Sequence, residues 1–440
     1  MNQPEEQLKR SIGVFGLSAN IINIVIGAGI FALPALVAAK MGAASIFAYI
    51  FCGILIALIM LCFAEVGSKV TNTGGAYTYI ETAFGDYAGF VSGIIYVASC
   101  LFADGAVSNA LVNVLGDILP VFQNPVVRLV FLFSIFFGLM LLNIRGVDKG
   151  IGLVKFNTIA KLIPLFVLII LGWQAVSIDN LAIEGIPDFK TFGQTSLVLF
   201  FAFIGCETGL IVGGEVVNPK KNIPKAIFIS IAFVVVMYIA IQTVCQGILG
   251  NSLPNFQSAP LAESAKIAFG VFGFSLLTAG TAISMFGNLT GSQLNSPRIV
   301  YALARDKVIP SKLLAKIHPT FATPYNSLIL YALIAFGISA MGNFQQLVVI
   351  TTSSFLLLYL GVVLSLIKLR KKYPDDKNGY KVPGGLLVPI LSIGIILYFL
   401  SNLEKREIVG TLIFIAIISI LFFIIQSVQK KAKKNTDYDP

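Results

Sequence analysis

Apolar runs of about twenty residues, the length a helix needs to cross the hydrocarbon of a bilayer, recur almost end to end along this chain. Twelve of them fall near residues 12–38, 42–66, 86–115, 126–144, 152–173, 195–217, 224–249, 267–300, 323–341, 345–368, 383–400 and 407–428. The connections between them are short and leave no room for a soluble domain. The runs are rich in Gly, Ala and Phe and lack the polar alternation of barrel strands, so they predict helices. Of the 440 residues 57% are hydrophobic and 12% charged, about half the ~25% charge of soluble domains. With a mean hydropathy of +0.88 there are too few polar side chains to cover a surface facing water. The expectation is an all-α polytopic membrane protein with 12 transmembrane helices.

Basic residues orient these helices, because cytoplasmic loops carry the excess of Lys and Arg. With the N-terminus inside, Lys40, Arg128, Lys190, Lys266, Lys405 and Arg406 fall outside, Lys161 falls within a span, and the other 24 of the 31 Lys and Arg are cytoplasmic. Both termini are therefore expected in the cytoplasm. The net charge of +10 then faces anionic headgroups, and no aromatic-interleaved basic surface points to nucleic acid. The polar tail 429–440 reads as disordered. Cys52, Cys62, Cys100, Cys206 and Cys245 all fall within spans without paired spacing, as small buried hydrophobes. The first apolar run is too long for a secretory signal and is expected to remain. A short chain without a targeting extension points to a plasma membrane or bacterial inner membrane.

The spans divide into blocks of similar length. Residues 1–11 form a cytoplasmic N-terminus, 12–175 hold spans one to five, 195–370 hold spans six to ten, 383–428 hold the last two, and 429–440 form the tail. The first helix of each block is interrupted by glycine: Gly27-Ala28-Gly29 in span one, and Gly205 with Gly209, Gly213 and Gly214 in span six. Five is odd, so the second block enters the membrane from the opposite side. Paired broken helices in two inverted halves point to a secondary transporter with its site at the bilayer midplane, although a single such cluster can equally serve close helix packing.

The residues also resemble a known family. Ile26-Gly27-Ala28-Gly29-Ile30-Phe31 followed by Pro34, and Glu65 with Gly74-Gly75-Ala76-Tyr77-Thr78-Tyr79, are similar to the first two helices of the amino acid–polyamine–organocation (APC) transporters. Phe201-Ala202-Phe203-Ile204-Gly205-Cys206-Glu207, running through Gly214-Glu215 to Pro224, resembles their sixth helix and its following loop, and Arg298–Pro310 resembles the loop after the eighth. Within the family the chain looks nearest to bacterial arginine/agmatine-type antiporters and light-subunit-like amino acid exchangers. The resemblance implies a LeuT-like fold of five-plus-five inverted repeats with two additional C-terminal helices. It also implies an amino acid substrate, no cofactor and no metal.

An amino acid zwitterion at the bilayer centre needs both its charges satisfied. The backbone N–H groups at Gly27, Ala28 and Gly29, at the positive end of a half-helix, suit a carboxylate. The carbonyls of Val25, Phe201 and Ile204 can accept from an ammonium, roles the resemblance also implies. Ala28 stands where many relatives carry Ser. Phe201 matches the position of a substrate-capping Trp in the antiporters, and Ser292 that of their second Trp; the only Trp here is Trp173, which removes a stacking surface for a guanidinium.

Asp104, Lys161 and Glu207 lie near the centres of their spans, where an ionisable group is by default a functional one. Lys161 matches a lysine of several sodium-independent relatives, where its ammonium can replace a structural cation between the first and eighth helices; the plainer reading is snorkelling. Glu207 matches an acidic gate position and can take up a proton, or it can be a structural hydrogen-bond acceptor. Asp104 matches a position that binds substrate side chains; it can read a distal ammonium, pair with Lys161, or belong to a structural ion pair. Glu65, Glu81 and Glu215 fall near cytoplasmic ends, where interfacial or gate ion pairs are the bland reading. His318, the only histidine, belongs to a loop.

The function expected is secondary active, sodium-independent amino acid transport by alternating access, as an exchanger or as a proton symporter for an amino acid or polyamine. A membrane enzyme is disfavoured by the lack of GxSxG, HExxH and P-loop motifs. A transporter-like nutrient sensor and a channel remain as other readings. The partners expected are a small-molecule substrate and the lipid bilayer, with a homodimer one option for the oligomeric state.

Overall fold

The computed structural model describes residues 13–70, 75–145, 147–183, 185–208, 210, 216–321, 323–372 and 380–436. Among them every regular element is a helix. In chain order these are α1 (Val14–Val25), α2 (Ala28–Met41), α3 (Ser45–Lys69), α4 (Ala76–Phe84), α5 (Asp86–Ile118), α6 (Pro125–Ile144), α7 (Val147–Gly172), α8 (Phe189–Phe200), α9 (Pro219–Leu249), α10 (Pro260–Arg305), α11 (Tyr325–Met341), α12 (Phe344–Lys372), α13 (Leu387–Ser401) and α14 (Lys405–Thr436). Nine helical stretches among the described residues are long and apolar enough to cross a membrane, with α1, α11 and α13 as shorter apolar helices. One of the nine, Ala28–Lys69, turns at Gly42, whose φ of 52° suits glycine; it joins α2 to α3. The protein is an all-helical, multi-pass membrane protein.

Several boundaries differ from those read in the sequence. The helix expected from 195 starts at Phe189, because the Asp188 carboxylate caps it by accepting from the N–H groups of Lys190 and Thr191 at 3.0 Å. The helix expected from 267 starts at Pro260 and is broken at Gly270, where φ is 69°. Hydropathy gave no sign of α4, nine residues long and flanked by Gly75 and Gly85 at φ 61° and 87°. In the tail, α14 continues to Thr436 where disorder was expected, since residues 429–434 are good helix formers without Gly or Pro. Residues 1–11, Gly74, Gly209, Gly213, Gly214 and Glu215, all singled out in the sequence, lie outside the described residues, as do 437–440.

Burial separates inner from outer helices. Of the apolar windows of α5 and α12, 67% is buried, against 28% for α6 and 6% for α14. The outer faces carry large apolar side chains such as Phe133, Ile170, Leu412 and Phe423, as lipid contact requires. Small residues set the closest approaches. A Cβ on Gly280 of α10 would sit 2.6 Å from Pro164 of α7, and one on Gly287 would sit 2.8 Å from Asn157, so these glycines let the two backbones meet. Buried hydroxyls within the helices bond to their own preceding turn, as Thr281 does to the Leu277 carbonyl and Ser365 to that of Gly361, both at 2.7 Å. All five cysteines are buried and free.

At one end of the bundle a buried carboxylate ties three elements together. Glu65, fully buried at the end of α3, accepts from Arg370 of α12 at 2.8 and 2.5 Å and from the Val382 backbone N–H ahead of α13 at 2.8 Å. Lys69 lies 3.5 Å away. Removing Arg370 would leave the buried carboxylate with Lys69 and the Val382 N–H alone. Arg370→Ala is therefore expected to destabilise the detergent-purified protein by about 1–3 kcal/mol. Glu65→Gln combined with Arg370→Gln should cost less, and thermal unfolding of the three proteins checks the order.

Candidate functional site

The first helix of the chain stops and restarts inside the bundle. The α1 helix ends at Val25, Ile26 and Gly27 leave helical geometry, and α2 begins at Ala28. Ending a helix here frees carbonyls on one side and N–H groups on the other. The freed carbonyls are taken by side chains from three other helices. The Lys161 ammonium of α7 donates to the carbonyls of Asn23 and Ile26, the latter at 2.8 Å. Asn288 of α10 donates to Ile24 at 3.0 Å, and Ser284 of α10 to Ile26 at 3.3 Å. The Val25 carbonyl accepts from the Gly27 N–H at 2.8 Å and lies 3.1 Å from the Tyr238 hydroxyl of α9. Lys161 is fully buried and makes no ion pair among the described residues, so it does not pair with Asp104. A cation against the negative end of a helix is favourable, and α1 ends on one. The start of α2, by contrast, has no side-chain cap.

The second interruption faces the first. After α8, residues 201–203 tighten into a single 3-10 turn, and Gly205 follows at a φ of 112°, open to glycine but strained for other residues. A Cβ on Gly29 would lie 2.5 Å from the Ala202 Cα, and one on Gly205 would lie 2.9 Å from Ile24. The Phe201 carbonyl accepts from the Ile204 N–H at 3.3 Å, and the Ala202 carbonyl lies 3.0 Å from the Tyr238 hydroxyl. The Ile204 carbonyl has no donor among the described residues.

Between the two interruptions lies a cavity of about 80 Å³, several times the ~10–15 Å³ that one water needs. Val25, Gly27, Ala28, Gly29, Asp104, Phe201, Ile204, Glu207 and Ser292, singled out in the sequence, all line it. Lys161 is the exception: it sits behind the cavity, on the carbonyls of α1. The Glu207 carboxylate folds back on its own interruption. One oxygen accepts from Tyr359 of α12 at 2.6 Å and from the Gly205 N–H at 3.2 Å; the other is buried with no partner among the described residues. At the other side Asp104 accepts from Tyr331 of α11 at 3.0 Å and from Gln293 of α10 at 3.2 Å. Ser292 lies 3.2 Å from Ser296. A larger cavity of about 270 Å³ includes Phe344 in its lining. The Phe201 ring meets Phe344 edge-on, centroids 6.3 Å apart, and Phe201 itself lines the small cavity.

Sequence reasoning missed the residues that hold the site together: Tyr238, Ser284, Asn288, Gln293, Tyr331, Phe344 and Tyr359. Asn288 and Gln293 carried a signal, being amides inside a long apolar run. The tyrosines carried none, since their roles arise from which carbonyl their hydroxyls reach.

An all-helical membrane bundle with two facing helix interruptions around a cavity that carries Asp104 and Glu207 is the architecture of a transporter. Comparison with known proteins agrees, and it names the family. The profile of the amino acid permease family matches residues 12–434. The chain is 30% identical over 404 residues to the serine/threonine exchanger SteT of Bacillus subtilis, covering 89% of this chain and 91% of that one. It is 27% identical over 448 residues to the methylthioribose transporter of the same organism, covering 95% and 94%. To the large neutral amino acids transporter small subunit 2 of Mus musculus it is 29% identical over 398 residues, covering 87% and 74%. The chain belongs to the amino acid permease family of the APC superfamily, whose members and these relatives are transporters and not enzymes.

The close approach of the interruptions generates a test. Gly29→Ala drives a methyl group into backbone and should cost about 1–3 kcal/mol of stability. Gly291→Ala, in the same cavity lining but with nothing within 4 Å of its added Cβ, should leave thermal unfolding unchanged. Equal unfolding temperatures for the two variants would contradict the contact.

Proposed function

We propose that this permease is a secondary active, sodium-independent amino acid transporter that works by alternating access, with substrate held between the interruptions of spans one and six. The observation that carries the reading is the uncapped start of α2 facing the cavity, while Lys161 occupies the opposite end of the same break. The carboxylate of the substrate takes the N–H groups at Ala28 and Gly29, the Gly27 N–H being held by the Val25 carbonyl. Its ammonium takes the Ile204 carbonyl and the unpartnered Glu207 oxygen. The carbonyls of Val25 and Phe201 already have protein donors and play a smaller part than the sequence suggested. Lys161 supplies the fixed charge that a structural sodium ion would otherwise provide. Asp104 and Ser292 bound the end of the cavity where the substrate side chain lies, and Phe201 closes the opposite wall.

In this reading the twelve apolar segments are twelve spans. Residues 12–175 and 195–370 are two inverted repeats of five, spans eleven and twelve follow in 383–428, and both termini are cytoplasmic. The paired interruptions and the asymmetry of basic residues support this topology. The named substrates of the relatives, serine and threonine for one and large neutral amino acids for another, and the small cavity favour a neutral amino acid. A second reading, proton symport, is favoured by one observation: the buried, unpartnered oxygen of Glu207.

The test is uptake of a labelled amino acid panel into proteoliposomes, with and without unlabelled amino acid inside, with and without sodium, and with and without a pH gradient. Uptake that requires internal amino acid and ignores sodium is expected. Uptake into empty vesicles driven by the pH gradient would select proton symport, and sodium dependence would contradict the role of Lys161. Lys161→Ala should insert normally and transport at about one tenth of the rate or less, since it leaves two buried carbonyls short of a charged donor. Unchanged kinetics would remove Lys161 from the mechanism. Asp104→Asn should weaken cationic substrates more than neutral ones; equal losses would mean that Asp104 holds α10 and α11 and does not read the side chain.

A further inference from the structure

Each interrupted helix is tied to a neighbour well before it reaches its break. On α1, the Ser18 hydroxyl lies 3.4 Å from the Ala226 carbonyl of α9, and the Ser230 hydroxyl of α9 lies 3.2 Å from the Ser18 carbonyl. Ser230 also reaches the Ala226 carbonyl of its own helix at 2.7 Å, so two hydroxyl protons serve two carbonyls in one closed group. On α8, the tie is a thiol: Cys52 of α3 lies 3.3 Å from the Ser196 carbonyl. Ser18, Ser230, Cys52 and Ser196 are all buried.

The two ties occupy matching places in the chain. The displacement that carries Gly27 onto Gly205 also carries Ser18 onto Ser196, Ala48 onto Ala226 and Cys52 onto Ser230. In both, the residue on the interrupted helix offers its carbonyl to the same position of the neighbour. They differ in strength. Ser230 donates through a hydroxyl, whereas the thiol of Cys52 is a weak donor. The Ser18 hydroxyl reaches Ala226, whereas the Ser196 hydroxyl has no partner among the described residues, its counterpart Ala48 included. Thus α1 is held by two hydroxyl contacts and α8 by one thiol. Between membrane helices, where apolar contact gives little preference for one neighbour over another, such a difference decides which pair separates more readily.

In the proposed topology the tie of α1 to α9 lies on the cytoplasmic side of the cavity and the tie of α8 to α3 on the outer side. We propose that the two are unequal clamps: the cytoplasmic side is closed more firmly than the outer one, so the empty protein rests open to the outside. Ser18, Ser230, Ser196 and Cys52 are positioning residues that set this balance without touching substrate, and none of them lines the cavity. The inference rests on the reading of the cavity as a substrate site reached alternately from two sides.

Cys100 supplies the readout, because it lines the cavity and the other four cysteines do not. Right-side-out and inside-out membrane vesicles are treated with a membrane-impermeant trimethylammonium methanethiosulfonate, and modification of each cysteine is followed by mass spectrometry of the purified protein. Cys100 of the wild type should react faster from the outer side. Cys52→Ser gives the Ser196 carbonyl a hydroxyl donor, and Ser230→Ala takes one from Ser18. Each should lower the ratio of outer to cytoplasmic reaction at Cys100 by about fivefold, the population shift of one hydrogen bond. Ser365→Ala is the control, since Ser365 is buried and bonds to Gly361 of its own helix; it should leave the ratio unchanged.

Ratios within about twofold of wild type in both variants, well under that shift, would overturn the proposal. So would a wild type that reacts faster from the cytoplasmic side. Faster reaction at Cys62, Cys206 and Cys245 in step with Cys100 would also overturn it, since that is what a merely loosened bundle gives. Cys52→Ser exchanges sulfur for oxygen and carries the test alone where Ser230→Ala does not insert. Cys100 reacting from one and the same side in every protein would overturn the alternating-access reading together with this inference. Reaction from both sides at an unchanged ratio would overturn the inference alone.

Discussion

A helix interrupted within a membrane leaves backbone groups that lipid cannot satisfy, and the rest of this structure is arranged around meeting that demand. Four consecutive carbonyls, those of Asn23, Ile24, Val25 and Ile26, point out of the first break, and each is met by a side chain: Lys161 of α7, Tyr238 of α9, or Ser284 and Asn288 of α10. Three helices are thereby fixed against the break by hydrogen bonds, in a medium where apolar contact gives little preference for one neighbour over another. The glycines of α10 that meet α7 then bring the donors within reach.

The same arrangement makes the two ends of the break unlike. On the side of α1 the carbonyls and the negative end of the helix are neutralised by an ammonium that belongs to the protein. On the side of α2 the Ala28 and Gly29 N–H groups and the positive end have no side-chain cap, and what faces them is the cavity that Phe201 lines. An anionic group at that end is favoured by about 0.3–2 kcal/mol through the helix dipole alone, with its hydrogen bonds in addition. Had Lys161 been paired with a carboxylate, the carbonyl side would have remained polar and open, and the break would carry no preference for one end of a zwitterion. The second interruption supplies the complement: a carbonyl without a donor at Ile204 and a half-satisfied carboxylate at Glu207.

Much of this was legible in the sequence, because lipid leaves a strong imprint on composition. Each of the twelve apolar runs overlaps helix in the described residues, nine helical stretches there being long and apolar enough to span, and the breaks at Gly27 and Gly205 lie where the glycines stand. Asp104, Glu207 and Lys161 were visible as charges in apolar runs. What hydropathy hid was of two kinds. The α4 helix is too short to register in a window tuned to spans, and the start of α8 depends on an Asp188 cap that lies outside the apolar run. The partners of the charged residues were hidden for a different reason. Whether Asp104 meets Lys161 or Tyr331 depends on how α5, α7 and α11 rotate about their axes, and a run that is apolar on all sides carries little information about rotation. Tyr238 illustrates the limit: one tyrosine among 14, distinguished only by two carbonyls that reach it from elsewhere in the chain.

The most direct measurement is an experimental structure of the protein in lipid with an amino acid trapped in the cavity. The account predicts a carboxylate within hydrogen-bond distance of the Ala28 and Gly29 N–H groups, an ammonium toward Ile204 and Glu207, and Lys161 still on the carbonyls of Asn23 and Ile26. A carboxylate bound to Lys161 itself, or an amino acid seated only in the larger cavity beside Phe344 with the space between the interruptions unchanged, would contradict it.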